Sequence, residues 1–166
     1  MIRDATPQDF GAIAVLNVEA YREFAAHMTS AAWEAMHTNV SAVAEVAERA
    51  TFMVARVTGE LAGSVAYCPA GRSNPDIFPP DWASVLLLAV SPRYRGRGIA
   101  QQLVEACIRR ARAEEAVTIG LFTSELMTTA RRLYETLGFQ EDGEIPRRHG
   151  LRYWRYRLRL GDATHR

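Results

Sequence analysis

The sequence predicts one α/β domain over residues 1–166, and three observations carry that prediction. The chain has 166 residues, which is enough for one ordinary domain but not for two. The spacing of apolar residues changes between the helical period and the strand period along the chain. A continuous aliphatic run, Val85–Val90, is typical of a strand that is covered on both faces. The predicted element order is β-α-α-β-β-β-α-β-α-β.

The first half of the chain predicts a strand, two helices and a hairpin. Thr6 followed by Pro7 is typical of a helix start, because the hydroxyl can cap and the proline needs no N–H partner there. Thr58-Gly59-Glu60 joins two β-rich runs and predicts a hairpin turn. The elements predicted in this half are a strand at 2–4, helices at 7–27 and 30–47, and strands at 52–57 and 61–67.

The second half predicts strands that alternate with helices. A loop is predicted at Pro69–Pro80, just before this half, because the segment is rich in proline, glycine and asparagine. Gly138 stands where a helix needs a left-handed residue to stop. An edge strand near the C-terminus is a candidate for pairing across a homodimer. The elements predicted in this half are strands at 82–90, 117–122 and 153–160 and helices at 99–112 and 127–137.

The composition excludes several classes of protein. Apolar residues make up 48% and charged residues 23%, the mixture of a globular domain. No run is long enough to span a membrane and the first residues carry no apolar signal core, so we expect a cytoplasmic protein. Cys68 and Cys107 are too few for a disulfide framework. His27, His37 and His165 share no ligand spacing, so no metal site is predicted.

The charge pattern disfavours nucleic acid and suggests an anionic ligand. The formal net charge is +1, and all 20 cationic residues are arginine. Such a balance does not provide the basic surface that nucleic acid requires. Residues 1–92 hold 5 arginines against 10 acidic residues, whereas residues 93–166 hold 15 against 9. An anionic ligand would be attracted to the second half, unless these charges are simply dispersed over the surface.

A glycine-rich turn with three arginines follows the apolar strand. Gly96 and Gly98 allow a ligand to approach the backbone closely, and the helix start behind them offers free N–H groups to a phosphate. The dinucleotide pattern G-x-G-x-x-G fails, because Gln101 occupies the place of its third glycine. A Walker loop needs a lysine, and the chain has none.

Two blocks of sequence resemble the GNAT superfamily of acyl-CoA-dependent N-acyltransferases. The first is Leu88-Ala89-Val90-Ser91-Pro92-Arg93-Tyr94-Arg95-Gly96-Arg97-Gly98-Ile99-Ala100, similar to the signature strand, turn and helix of that family. The second is Ala130-Arg131-Arg132-Leu133-Tyr134-Glu135-Thr136-Leu137-Gly138-Phe139, similar to its A-x-x-L-Y-x-x-x-G-F element. The resemblance implies a mixed, mostly antiparallel central sheet flanked by helices.

The resemblance also implies a binding site for acetyl-CoA, which would serve as co-substrate. The backbone of Leu88 and Val90 would hold the pantetheine arm, and the amides of Arg95 through Ala100 would hold the pyrophosphate. Tyr134 would protonate the departing thiolate, since phenols and thiols have similar pKa values. The binding residues implied in this way are Leu88, Ala89, Val90, Arg93, Arg95, Gly96, Arg97, Gly98, Ile99, Ala100, Met127, Ala130 and Tyr134.

This chain departs from the pattern at one position. Many relatives have asparagine seven residues before the tyrosine, where this chain has Met127. A methionine cannot make the asparagine's hydrogen bonds, although it can pack against a cofactor. Most contacts in the family come from the backbone, so binding is still expected.

The residue that deprotonates the acceptor remains open at the sequence level. An alkyl amine is protonated at pH 7, so its proton must be taken up before or during attack. The strand interiors hold no carboxylate. The candidates are water and four acidic residues, Asp81, Glu125, Glu19 and Glu23. Tyr21 and Trp82 are candidates for the wall of the acceptor pocket, and His149 could contact the substrate.

The sequence thus predicts transfer of acetyl from acetyl-CoA directly to a primary amine of a small molecule or peptide. The alternative of another class is a non-catalytic module of the same fold that binds acyl-CoA. The missing strand carboxylate and Met127 favour that alternative. A nicotinamide dinucleotide site is a third hypothesis, which rests only on the glycine-rich turn.

Overall fold

A seven-stranded sheet with the order β1-β2-β3-β4-β5-β7-β6 forms the centre of the computed structural model, which describes residues 2–161. Neighbouring strands are antiparallel except β4 and β5, which are parallel. This mixed, mostly antiparallel sheet confirms the predicted fold class. The strands are β1 Ile2–Asp4, β2 Thr51–Val57, β3 Glu60–Cys68, β4 Trp82–Val90, β5 Thr118–Ser124, β6 Gln140–Arg148 and β7 Leu151–Arg159.

Helices cover both faces of the sheet. Alternate residues of β2 point to opposite faces, and they belong to different apolar clusters. Phe52 and Val54 pack with Ile13 and Val43, whereas Met53 packs on the opposite face with Leu103. The helices are α1 Phe10–Tyr21, α2 Ser30–Ser41, α3 Val43–Val46, α4 Ile99–Ala113 and α5 Thr128–Thr136, with short 3-10 helices at Pro7–Asp9, Arg22–His27 and Pro92–Tyr94.

Two predicted helices end earlier than expected. The first is α-helical only to Tyr21 and continues as the 3-10 helix Arg22–His27. The second, predicted to reach residue 47, is interrupted at Ala42, so that α2 ends at Ser41 and α3 is a separate turn. The Ser41 hydroxyl donates to the carbonyl oxygens of His37 and Thr38, a kind of bond that competes with helical pairing and often bends a helix.

One strand was missed, and its place corrects the prediction of the sheet edge. The missed strand, β6, contains Gly143 and Pro146 and has almost no apolar pattern, because an edge strand has one partner and is largely exposed. The predicted C-terminal strand is β7, and it lies between β5 and β6 rather than at the edge. Any pairing across a homodimer at this end of the sheet would therefore use β6.

A buried carboxylate joins the N-terminal strand to the sheet and the first helix. Asp9 is 8% exposed and accepts hydrogen bonds from the Thr6 backbone N–H at 2.8 Å and from Arg3 at 3.0 Å. Arg56 of β2 donates to its other oxygen at 3.2 Å. The Arg3 hydrogen bond, followed by that of Thr6, holds the pKa of Asp9 far below its usual range.

We expect Asp9→Asn to lower the free energy of unfolding by about 2 kcal/mol at pH 7, because charge-assisted bonds to two arginines are lost. The folded pKa lies below the unfolded value of about 3.9, so the stabilisation is present above that pH and is lost as the pH falls. The difference between the variant and the wild type should therefore shrink below about pH 4. Urea denaturation across pH measures it. Asp76→Asn, an exposed loop carboxylate, is the control, and an equal effect there would contradict the role of Asp9.

Candidate active site

The parallel strands β4 and β5 separate soon after they begin. They pair only through Trp82–Ser84 and Thr118–Gly120. The divergence coincides with a bulge in β4, where Leu87 adopts a left-handed conformation with φ +54° and two residues, Leu87 and Leu88, lie opposite Val65 of β3. A wedge-shaped space opens between the two strands toward their carboxyl ends, and two cavities occupy it.

The first cavity, of about 460 Å³, is bounded by the ends of α1 and β4 and by the first turns of α4 and α5. It brings together most of the predicted binding residues: Leu88, Ala89, Val90, Arg95, Gly96, Gly98, Ile99, Ala100, Met127, Ala130 and Tyr134. Arg93 and Arg97 do not line it. Arg93 forms an ion pair with Glu60 at 2.9 Å, and Arg97 stacks on the Tyr94 ring at 5.1 Å from its centroid.

One wall of this cavity offers backbone groups that no strand satisfies. The Ser91 N–H donates to the Ala62 carbonyl, so by the alternation of an antiparallel ladder the N–H and C=O of Val90 point away from β3. They face the side from which β5 has diverged. The Leu88 carbonyl also points to this side, where it accepts a hydrogen bond from the Tyr21 hydroxyl at 3.2 Å. The end of β4 can therefore pair with an extended ligand.

The opposite end of the cavity is suited to an anion. Gly96 and Gly98 both have φ +78°, a conformation that glycine adopts without strain. The first N–H groups of α4 have no intrahelical partner, and Gly98 at the N-cap has no side chain that could bond to them. Ile99 and Ala100 carry two of them and line the cavity. Such a helix end, with its positive dipole, binds phosphate readily.

An ion pair links the glycine-rich turn to the first helix. Arg95 contacts Glu23 at 2.6 Å and donates to the Ala20 carbonyl at 3.2 Å. All three residues line the first cavity. Glu23, one of the candidates for the base, is thus paired with Arg95 in this structure.

Tyr134 lies where the two cavities meet. It is 6% exposed, packs edge-on against Phe139 and lines both spaces. Its hydroxyl has no hydrogen-bond partner among residues 2–161. Burial, reinforced by nearby Tyr21, raises its pKa well above the usual value for a phenol. The side chain is therefore protonated at neutral pH, and it is a weaker acid than the similar pKa values of free phenols and thiols imply.

The second cavity, of about 290 Å³, extends from Tyr134 toward α2, α3 and the β6–β7 turn. Its polar wall includes Asn39, Glu45, Arg49, Arg148 and His149, which the sequence patterns did not single out apart from His149. Glu45 contributes a carboxylate to this wall and His149 an imidazole. Burial, followed by the charge of Arg148, lowers the pKa of His149 below its usual value, so the imidazole is neutral. No sequence motif reveals this wall, because its members come from separate parts of the chain: α2, α3 and the turn after it, and the hairpin of β6 and β7.

The other candidates for the base lie outside both cavities. Glu19 accepts a hydrogen bond from the Ser91 hydroxyl, and Glu125 accepts one from the Arg152 backbone N–H at 2.9 Å. Asp81 is exposed before β4. Of the two aromatic candidates for the acceptor wall, Tyr21 lines both cavities and Trp82 lines neither. The expectation for Trp82 is wrong, since it stands at the paired end of β4 and β5, where its ring packs on Phe78.

Neither a metal centre nor a membrane-spanning helix is found among residues 2–161. Within residues 2–161, no three His, Cys, Asp or Glu side chains converge as metal ligands would. His165, one of the histidines considered from the sequence, lies outside the described residues. No helix in the described part of the chain has the length and apolar character needed to cross a bilayer.

The comparison with protein families gives a clear match. The model of the Acetyltransferase (GNAT) family covers residues 12–139, a span that runs from α1 through both motif blocks. The chain belongs to the GNAT acetyltransferase family. N-acetyltransferase 8 of Rattus norvegicus is 31% identical to this GNAT chain over 117 residues, which are 66% of this chain and 49% of that protein. The chain thus spans about half the length of this relative.

Solved structures of other GNAT proteins share the fold. PaiA N-acetyltransferase of Thermoplasma acidophilum, in complex with coenzyme A, has a TM-score of 0.73 at 13% identity and covers 93% of this chain and 96% of its own. The ribosomal-protein-S18-alanine N-acetyltransferase of Escherichia coli has a TM-score of 0.68 at 19% identity, covering 98% and 95% respectively. At such identities the likeness shows the fold alone.

The position of the α4 N-terminus depends on a close approach between α4 and β3, and this yields a test. A Cβ at Gly63 would lie 2.9 Å from Ile99 Cγ2 and 3.0 Å from Leu103 Cδ1. We expect Gly63→Ala to cost about 1–3 kcal/mol of stability, because α4 must move away from the sheet.

Gly11→Ala is the matched control for that test. Gly11 lies in α1 with open space around its Cα, so alanine should be neutral or stabilise by up to about 1 kcal/mol. Thermal and urea unfolding of both variants measure the contrast. A Gly63→Ala protein as stable as the wild type would show that the α4 contact is not tight.

Proposed function

We propose that this GNAT-family chain transfers an acetyl group from acetyl-CoA to a primary amine of a small molecule or peptide, in a ternary complex. The observation that carries the proposal is the meeting of two cavities at one buried tyrosine, Tyr134. One cavity has an anion-binding helix end and an unpaired strand edge. The other has a polar wall suited to an acceptor. The name of the N-acetyltransferase 8 relative and the coenzyme A in the Thermoplasma structure support the same proposal.

The residues of the first cavity fit the parts of acetyl-CoA. The backbone groups of Leu88 and Val90 that point away from β3 would pair with the amides of the pantetheine arm, the Leu88 carbonyl in place of its bond to the Tyr21 hydroxyl. The amides of Arg95 through Ala100 would hold the pyrophosphate, with no side chain at Gly98 to obstruct it. Met127 lines this cavity beside Tyr134, where it offers an apolar contact instead of an amide. When bound, acetyl-CoA supplies the acetyl thioester.

Catalysis would depend on positioning and on late proton transfer. Holding an acceptor in the second cavity against a thioester in the first converts a bimolecular reaction into one between neighbours. The Val90 N–H, left free by the departure of β5, would polarise the thioester carbonyl. Tyr134 would donate its proton to the sulfur of the leaving thiolate. The proton that the amine loses would pass to Glu45, His149 or water in the second cavity.

Direct transfer is favoured over a covalent cysteine intermediate. Cys68 and Cys107 are both buried, and neither lines either of these two cavities. Burial raises the pKa of Cys107 to about 12, so its thiol is not ionised at neutral pH. A cytoplasmic location and a homodimer stay predictions.

The cofactor assignment is tested by thermal unfolding with acetyl-CoA, free CoA, NADH or buffer. A ligand that binds only the folded state at a hundred times its Kd adds about 2.7 kcal/mol of stability. In a domain of this size that raises Tm by roughly 5–10 °C. We expect a rise with both CoA species and none with NADH. No rise with either CoA species at millimolar concentration would remove the proposal.

The role of Tyr134 is tested by Tyr134→Phe. We expect kcat to fall about a hundredfold, the usual contribution of a general acid, while the Kd for acetyl-CoA is unchanged. Tyr67→Phe is the control, since its buried hydroxyl bonds to Glu114 and lines neither cavity. An unchanged kcat in Tyr134→Phe would exclude the proton-donor role. Acetyl-CoA binding by the wild type without turnover on any amine would instead favour the non-catalytic binding module.

A further inference from the structure

Arg148 differs from the other partly buried arginines. Its guanidinium lies over the Phe122 ring, 5.0 Å from the centroid, and it lines the second cavity. No carboxylate among residues 2–161 lies within ion-pair distance of it. Every other partly buried arginine in that range has such a partner, at 2.7 to 4.0 Å. These paired arginines are Arg56, Arg110, Arg131, Arg155 and Arg157.

A partly buried cation without a partner is costly, because it has lost water without gaining an opposite charge. Stacking on Phe122 offsets part of this cost and fixes the plane of the guanidinium. The N–H groups at its edge remain available. A guanidinium held in this way presents a fork of donors that matches a carboxylate.

The other charges of the cavity leave its wall positive. Arg49 lines it as well, and Glu45 is the one carboxylate among the described residues that does. His149 is neutral at pH 7 for the reasons given above, and it contacts the Asn39 amide at 3.3 Å. The remaining wall is largely apolar, with Met36, Val40, Leu121 and Phe122.

We propose that Arg148 binds a carboxylate of the acceptor, so that the acceptor is an amino acid or short peptide with an apolar side chain. The proposal rests on the function proposed above, in which the second cavity receives the amine. A volume of about 290 Å³ is at the low end for ligand pockets and suits a molecule of this size. Arg148 is here a specificity-determining residue, and Tyr134 remains the residue at the reacting atoms.

The test compares acceptors that differ only at the carboxylate. L-phenylalanine and L-leucine are assayed against their primary amides and against phenethylamine and isopentylamine, which lack the carboxyl group. Rates are expressed per free amine, because the amides have a lower amine pKa. We expect kcat/KM for the acids to exceed that for both neutral sets about ten- to a hundredfold, the size of a charge-assisted bond.

Two variants test whether the preference for a carboxylate depends on Arg148. Arg148→Gln should abolish the preference, mainly through a higher KM for the acids, so that acids and neutral amines react with similar kcat/KM. Arg147→Gln is the control, because Arg147 is the next residue of β6, is exposed and lines neither cavity. Tm and the Kd for acetyl-CoA are measured for both variants to show that the fold and the cofactor site are intact.

Several outcomes would overturn the inference while leaving the proposed function in place. Amides or decarboxylated amines that react as well as the acids would show that no carboxylate is bound. A preference that persists in Arg148→Gln would remove the role of Arg148. A wild-type protein that binds acetyl-CoA but acetylates neither acid would also overturn it. Failure to bind acetyl-CoA, measured separately, would remove the proposed function itself.

Discussion

Strands β4 and β5 share hydrogen bonds over only three residues each, and both cavities lie in the space that opens beyond them. If the two strands stayed paired to their ends, Val90 would bond to β5 and no strand edge would face the cavity. Tyr134 on α5 would then have no space to line. The separation thus places an unpaired backbone edge, a helix N-terminus and a buried phenol around one gap, although they come from distant parts of the chain.

Packing elsewhere in the fold compensates for the free energy that the separation of β4 and β5 costs. Unpaired backbone groups and the left-handed Leu87 are each unfavourable, and they persist only where surrounding packing holds them. That packing comes from two apolar layers, with α1 and α3 on one face of the sheet and α4 on the other. Gly63 allows α4 to approach β3 closely, so the layer that stabilises the sheet also fixes the glycine-rich turn.

What could be predicted from the sequence is what is encoded locally. The hairpin turn at Thr58 and Gly59, the start of β4 and the stop at Gly138 follow from neighbouring residues, and the structure has all three. Strand β6 was not predicted, because an edge strand needs no apolar pattern. The wall of the second cavity was not predicted for another reason. Asn39, Glu45 and Arg148 meet only through tertiary packing, and one of them lies on the strand that was missed.

The charge asymmetry of the sequence also could not be interpreted without the tertiary structure. The basic second half suggests a positive surface, yet the structure cancels much of it by pairing across the halves: Arg110 with Asp4, Arg93 with Glu60 and Arg95 with Glu23. At the first cavity, the positive feature that remains is the N-terminus of α4 rather than an arginine. At the second it is Arg148, with Arg49 nearby. Each cavity therefore has its own positive feature, and these are the places where we propose that the phosphates of acetyl-CoA and a carboxylate of the acceptor bind.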